Sequence, residues 1–256
     1  MRTVAVVLAG GSGLRLGGEL PKQLQLLAGR TLLEHSVAAF EQAPGVDDIV
    51  VVMPAAFVET AASILGNKYG KLRRIIPGGA DRPGSTRSAI DLLSQEPSPA
   101  LAEHALADPA LADPALAGPE CNVLFHDAAR PLVDQRIIAD CVATLAEHEA
   151  LGVVVPTADT IVQLADGTML SIPPRESLGR CQTPQGFRLS VIRLAYELAA
   201  VDLEAGTFTA TDDCGMVLRY LPEVPVKAVA GSERNLKITY PGDLRVAESL
   251  LLSPGS

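Results

Sequence analysis

Residues 4–23 read VAVVLAGGSGLRLGGELPKQ. The run VAVVLA is short, apolar and rich in β-branched residues, the pattern of a strand buried on both faces of a parallel sheet. It breaks into a glycine-rich loop that carries one arginine, Arg15, and ends in Pro21-Lys22-Gln23. A loop leaving the carboxyl end of such a strand sits where open α/β sheets bind their ligands. Gly10, Gly11 and Gly13 allow backbone N–H groups to approach phosphate oxygens, and Arg15 and Lys22 add positive charge. Two familiar phosphate loops fail here. The dinucleotide fingerprint needs a third glycine where Leu16 stands, and the P-loop needs lysine and a hydroxyl where Glu19 and Leu20 stand. A glycine-rich turn with two solvated basic residues is the competing reading of the loop alone.

Outward from the loop, strand-like and helix-like segments alternate. Thr31-Leu32-Leu33-Glu34 is a capping box that starts a helix to about Ala43. Strands are predicted at 49–53, 72–76, 123–125 and 152–155. Helices are predicted at 55–65, 85–95 and, capped by Asp134, to about His148. This alternation predicts βαβ units: a Rossmann-like, doubly wound, mostly parallel sheet with helices on both faces. After Pro156 the pattern changes. Residues 160–164 and 168–172 flank Ala165-Asp166-Gly167, a turn signal, and predict an inserted β-hairpin within an arm over 157–180. Such a hairpin has little core of its own and is expected to pack on a second subunit. Helices near 189–200 and 212–221, strands at 225–229 and 236–239, and a last helix at 242–252 complete the series. The whole chain, 1–256, reads as one domain. Residues 101–120 repeat with period five (LAEHA-LADPA-LADPA-LAGPE), which fits neither helix nor strand. The stretch 96–120 is therefore expected to be a mobile surface insertion.

Composition narrows the function. The formal net charge of −9 argues against non-specific nucleic-acid binding. The four cysteines form no C-x-x-C pair and read as reduced thiols of a cytoplasmic protein. No apolar run reaches membrane-spanning length, so a soluble protein without membrane contact is expected.

Other polar clusters follow predicted strands. Residues 78–85, GGADRPGS, suit a nucleobase or sugar site, or simply a turn with Ser85 as helix N-cap, and alone the turn explains them better. In His126-Asp127-Ala128-Ala129-Arg130, Asp127 suits Mg²⁺ or a sugar hydroxyl and Arg130 a phosphate, against a purely structural Asp–Arg pair. His126 reads as a packing residue. Lys237, inside a short apolar run, either snorkels to solvent or points into a cleft. Arg15, Lys22, Asp127, Arg130 and Lys237 all fall at predicted strand ends, which form one crevice in a doubly wound sheet. Cations and one carboxylate around a glycine loop describe metal-assisted transfer at a phosphoryl centre.

Taken in order, LAGGSGLRLGGELPKQ, GGADRPGS, HDAARP, PTADT, QTPQGF and NLKIT followed by PGDL resemble the 2-C-methyl-D-erythritol 4-phosphate cytidylyltransferases of the non-mevalonate isoprenoid pathway. The resemblance runs almost end to end, apart from the repeat. It implies transfer of a cytidylyl group from CTP to 2-C-methyl-D-erythritol 4-phosphate with release of pyrophosphate, Mg²⁺ as cofactor, and a homodimer joined through the β-arm. It further implies that Arg15 and Lys22, assisted by Lys237, stabilise the reacting α-phosphorus. Ala9, Gly10, Gly11, Gly13, Gly79, Ser85 and Ala128 would hold the nucleotide. Asp127, Arg130, Thr160 and Thr183 would face the sugar phosphate, with Asp127 a possible metal ligand and Arg175 reaching the partner's site. The chain departs from the pattern at Gly10, commonly alanine, and at Ala80, often acidic. A ribitol-5-phosphate cytidylyltransferase, a nicotinamide-dependent oxidoreductase and a non-catalytic nucleotide-binding module are the rival functions.

Overall fold

The computed structural model describes residues 1–10, 21–94, 120–208 and 210–252. Strand β1 (Thr3–Leu8) is buried along its whole length and lies inside a seven-stranded sheet. Its parallel neighbours are β4 (Asp48–Met53) and β6 (Asn122–Asp127), and β5 (Leu72–Pro77) pairs parallel outside β4. On the other side come β10 (Gly179–Arg188), β7 (Ala150–Pro156) and β11 (Val226–Ala230), giving the order β11-β7-β10-β6-β1-β4-β5. All pairings are parallel except those of β10, which runs antiparallel between β6 and β7.

The side-chain period of two divides β1 between two cores. Val4, Val6 and Leu8 face one core, with α3 (Arg82–Leu93), α5 (Leu189–Glu204) and α6 (Asp213–Tyr220). Ala5 and Val7 face the other, with α1 (Leu32–Gln42), α2 (Val58–Leu65) and α4 (Gln135–Glu147). Helices thus cover both faces, as the alternation predicts. The Thr31/Glu34 capping box forms at α1, and Asp134 accepts from the Ile137 amide at α4. The last helix, α7 (Pro241–Leu252), packs Ala247 with Leu27 and Ile238 in a third, smaller cluster.

Three local expectations are corrected. Helix α3 starts at Arg82, not Ser85: Asp81 is the N-cap, accepting from the Gly84 amide at 2.8 Å, with Pro83 in the first turn. Residues 236–239 do not form a strand; Leu236 and Ile238 are apolar because they pack toward α7. Strand β10 was not foreseen. Short strands β2 (Leu26–Leu27) and β3 (Arg30–Thr31) precede α1. The hairpin is present as β8 (Gln163–Ala165) and β9 (Thr168–Ser171), turning through Asp166 and Gly167 at φ +49° and +76°. Both its strands are exposed along their length. The repeat insertion of 96–120 lies outside the described residues up to Pro119.

Candidate active site

The carboxyl ends of β1 and β6 and the start of α3 surround a cleft of about 520 Å³. Gly10, Lys22, Ser85, Asp127 and Lys237 all line it, so five of the sequence-predicted residues meet in one place. Parallel pairing of β1 with β6 sets Leu8 beside Asp127 and fixes the carboxylate at the sheet edge. The Lys237 Nζ lies 2.7 Å from Asp127 Oδ2, and the Arg82 Nε 3.7 Å from Oδ1. Burial alone would raise the Asp127 pKa. Lys237 and then Arg82 outweigh it and hold the group ionised, well below the usual carboxylate range. Lys22, at the start of a 3₁₀ turn after Pro21, donates to the Ile238 carbonyl at 3.2 Å. That bond ties Lys22 to the segment that carries Lys237, and both lysines line the cleft.

Glycines pack closely around Ser85, at the side of the cleft where Gly10 lines it. A Cβ on Gly10 would lie 2.8 Å from Ser85 Oγ, and one on Gly78 would lie 2.6 Å from it. A Cβ on Gly79 would come within 2.6 Å of Gly84 Cα, so the two backbones touch. Ser85 is not a cap. It sits inside α3 and donates to the Asp81 carbonyl at 2.9 Å, buried between the two glycines.

Other predicted residues are placed differently. The amides of Ala9 and Ala128 bond the carbonyls of Val52 and Leu8, so the sheet takes up these two N–H groups. Arg130 does not pair with Asp127. It donates to the carbonyls of Asn235 (2.7 Å) and Cys181 (3.4 Å), and burial lowers its pKa. Thr183 lies behind Asp127, accepting the Asp127 amide at 3.1 Å while contacting His126 Nδ1 at 3.1 Å. His126 is buried, with its pKa pushed down by burial to about 4, and its Nε2 faces the Arg130 carbonyl at 3.0 Å. It is the packing residue expected, here bracing the turn after β6. Thr160 and Arg175 meet each other, Arg175 donating to Thr160 Oγ1 at 3.0 Å, at the base of the arm and away from the cleft lining. Arg15, Gly11 and Gly13 lie outside the described residues.

A model of the 2-C-methyl-D-erythritol 4-phosphate cytidylyltransferase (IspD) family matches residues 3–117 and 109–253. The chain belongs to this family. A cytidylyltransferase of that name from Thermobifida fusca is 49% identical, the alignment covering 98% of this chain and 93% of the relative. The bifunctional ribulose 5-phosphate reductase/CDP-ribitol pyrophosphorylase Bcs1 of Haemophilus influenzae is 35% identical over 98% of this chain but only 48% of its own length. The crystal structure of the 4-diphosphocytidyl-2C-methyl-D-erythritol synthase from Anaerococcus prevotii shares the fold, with a TM-score of 0.76 at 24% identity over 98% of this chain and 96% of that one.

Arg82, which the sequence motifs do not single out, also lines the cleft of this cytidylyltransferase. Its NH1 lies 2.7 Å from Asp213 Oδ2, and Asp213 is completely buried at the start of α6. Asp213 also accepts the Tyr196 hydroxyl at 2.8 Å, and its amide bonds Gln185 Oε1 at 2.9 Å. Burial would lower the Arg82 pKa, but Asp213 and Asp127 raise it, so the guanidinium stays charged. One arginine therefore spans a buried carboxylate and the cleft carboxylate. The donor set also bears on a metal. Among the described residues, no group of three or more His, Cys, Asp or Glu side chains forms a cage. A single ionised carboxylate suits Mg²⁺, which keeps waters and shares substrate phosphates.

Proposed function

We propose that the cleft transfers the cytidylyl group of CTP to 2-C-methyl-D-erythritol 4-phosphate, releasing pyrophosphate. The observation that carries this reading is the convergence of Lys22, Lys237 and Arg82 with one ionised carboxylate, Asp127, beside Gly10. The attacking sugar-phosphate oxygen is already an anion, so the reaction needs no general base. Its difficulty lies in bringing two anions together and in stabilising charge on the α-phosphate during in-line displacement. Lys22 and Lys237, with Arg15 from the glycine loop, meet that demand. Gly10, Gly79 and Ser85, with Gly11 and Gly13, would hold the nucleotide. Asp127 would hold Mg²⁺ together with the CTP phosphates; when bound, the ion neutralises phosphate charge. Arg130 and Thr183 act from behind Asp127 by fixing the turn that carries it.

The arm belongs to the same proposal. Leu164, Met169, Leu170 and Ile172 are each 59–64% exposed on it, a share of apolar surface that a second copy would cover. A homodimer through this arm would carry Thr160 and Arg175 to the partner's cleft, where Arg175 would grip the polyol phosphate bidentately. We read the whole chain as one cytoplasmic catalytic domain. No helix among the described residues is long and apolar enough to cross a membrane.

Pyrophosphate release from CTP, followed in parallel with methylerythritol phosphate, with ribitol 5-phosphate and with no polyol, tests the reading. Release with the first substrate alone supports it. Faster release with ribitol 5-phosphate would transfer the assignment to the activity named for the Haemophilus relative. CTP binding without release in any arm would mark a non-catalytic module.

A further inference from the structure

Cys181 of β10 and Cys214 in the first turn of α6 approach one another across Gly152 of β7. A Cβ built on Gly152 would lie 2.9 Å from Cys214 Sγ and 4.0 Å from Cys181 Sγ, so both sulfurs converge on a space that only glycine leaves open. The two sulfurs are close enough for each to shift the acidity of the other. Cys181 Sγ also accepts from Gln185 Nε2 at 3.1 Å, while the Cys214 thiol reaches the Leu151 carbonyl at 3.5 Å. Their settings are unequal: Cys181 is exposed and Cys214 is buried. We propose that Cys181 and Cys214 form a redox-active dithiol, in which Cys181 reacts with a hydroperoxide and Cys214 resolves the product to a disulfide.

The asymmetry assigns the roles. A thiolate is the nucleophile, and redox-sensing cysteines are accessible, acidic and placed beside a resolving thiol. The nearby Cys214 thiol lowers the Cys181 pKa, whereas Cys181, with burial, raises that of Cys214. By contrast, burial lifts Cys121 to about 11 and Cys141 to about 12, and both are inaccessible. The steps balance. The Cys181 thiolate attacks the terminal peroxide oxygen, the O–O bond breaks, and the sulfur becomes a sulfenic acid as hydroxide or alkoxide leaves. Cys214 sulfur then attacks the Cys181 sulfur; the S–O bond breaks, the Cys214 proton goes to the departing oxygen, and water is released with the new S–S bond. A thiol reductant reverses the oxidation by exchange.

The dithiol touches the proposed cleft through one strand. The Cys181 carbonyl accepts from Arg130, and the next two residues, Gln182 and Thr183, bond Asn235 and the Asp127 amide. Drawing Cys181 toward α6 therefore disturbs the support of Asp127. This consequence for turnover rests on the proposed function; formation of the disulfide does not.

The test treats the reduced, folded protein with hydrogen peroxide, blocks remaining thiols with iodoacetamide, and maps peptides by mass. We expect a Cys181–Cys214 linked peptide, short of two hydrogens, that disappears with dithiothreitol. In Cys214→Ser the sulfenic acid should persist on Cys181 and be trapped by dimedone. In Cys181→Ser neither product should form. Recovery of both residues as alkylated thiols from peroxide-treated wild type, or linkage through Cys121 or Cys141, overturns the proposal. Pyrophosphate release, measured against each variant's own reduced rate, should fall about tenfold or more in wild type as the linked peptide accumulates. Linkage with unchanged turnover refutes the coupling to the cleft. A protein that never releases pyrophosphate in any state speaks against the cleft reading, while the peptide map still decides the dithiol.

Discussion

Replacing Arg82 with alanine tests whether the guanidinium is a structural support of the cleft. Asp213 is fully buried, and its Oδ2 faces Arg82 at 2.7 Å, while Oδ1 takes the Tyr196 hydroxyl. Removing Arg82 leaves a carboxylate in a low-dielectric interior without its cation. Breaking one side of a buried pair of this kind costs about 3–5 kcal/mol. An exposed pair provides the internal control. Arg193 and Glu197 are 40% and 45% exposed at 3.5 Å, so Arg193→Ala should change stability by less than about 1 kcal/mol. Urea unfolding at neutral pH should separate the two variants by at least about 2 kcal/mol, and the melting temperature of Arg82→Ala should fall by about 10 °C. Arg82→Ala with Asp213→Asn should recover a large part of the loss, because the stranded charge is gone, and the double-mutant cycle should show a coupling of about 2 kcal/mol or more. Equal small losses for Arg82→Ala and Arg193→Ala would refute the argument, as would a double variant no more stable than Arg82→Ala alone.

Four further outcomes follow from the same geometry. Lys22→Ala should lower kcat by about 10²-fold or more with a much smaller change in CTP affinity, since the charge it faces is greatest in the transition state; a rise in KM alone would make it a uniform binding residue. If the arm exchanges Arg175 between subunits, Lys22→Ala and Arg175→Ala homodimers should be nearly inactive, and random reassortment of the two should restore activity to roughly one quarter of wild type, from one intact site in half the dimers; proven exchange without recovery would place Arg175 in its own protomer's chemistry or in none. Thr31→Ala should cost about 1 kcal/mol by opening the α1 capping box. Burial alone would raise the Glu34 pKa, but the Thr31 amide and Lys68 overcome it and leave it below 4.5, so its contribution is full above 4.5 and lost as pH falls through the lower folded value. Relative to Glu34→Gln, wild type should therefore lose stability on acidification, and parallel curves would contradict this.

Much of the architecture could be read from residue patterns because it rests on local signals. Apolar β-branched runs announced β1, β4 and β7, and Thr31, Asp134 and the Asp166-Gly167 turn marked their elements by side-chain or backbone chemistry that acts within a few residues. Strand β10 escaped because its sequence, GRCQTPQGFR, has no apolar alternation. Its buried Gln182, Thr183 and Gln185 are satisfied by Asn235, Asp127 and Asp213, partners from distant parts of the chain. Pro184 fits there because it lies where the ladder with β7 shifts register between Gln182 and Gln185. Misreading 236–239 as a strand has the opposite cause: apolar residues in an unpaired segment, held by packing on α7. The candidate site was legible as a set of strand-end cations and Asp127. The actual partners of that carboxylate were not, because Lys237 and Arg82 lie 110 and 45 positions from Asp127 in the chain. The α3 cap was within reach, since Asp81 followed by Arg82 and Pro83 is an N-cap with proline in the first turn.

The antiparallel strand has a consequence for how the protein opens. β10 is hydrogen-bonded on both edges, to β6 and to β7, and cannot leave without unzipping the centre of the sheet. Amide hydrogens at Gly186 and Phe187 should therefore exchange with solvent only at the rate of whole-molecule unfolding, whereas those of β8 and β9, exposed and paired only with each other, should exchange through local opening. A yielding and a resistant part of the fold thus lie close together in the chain, so the arm can move while the residues behind Asp127 stay fixed.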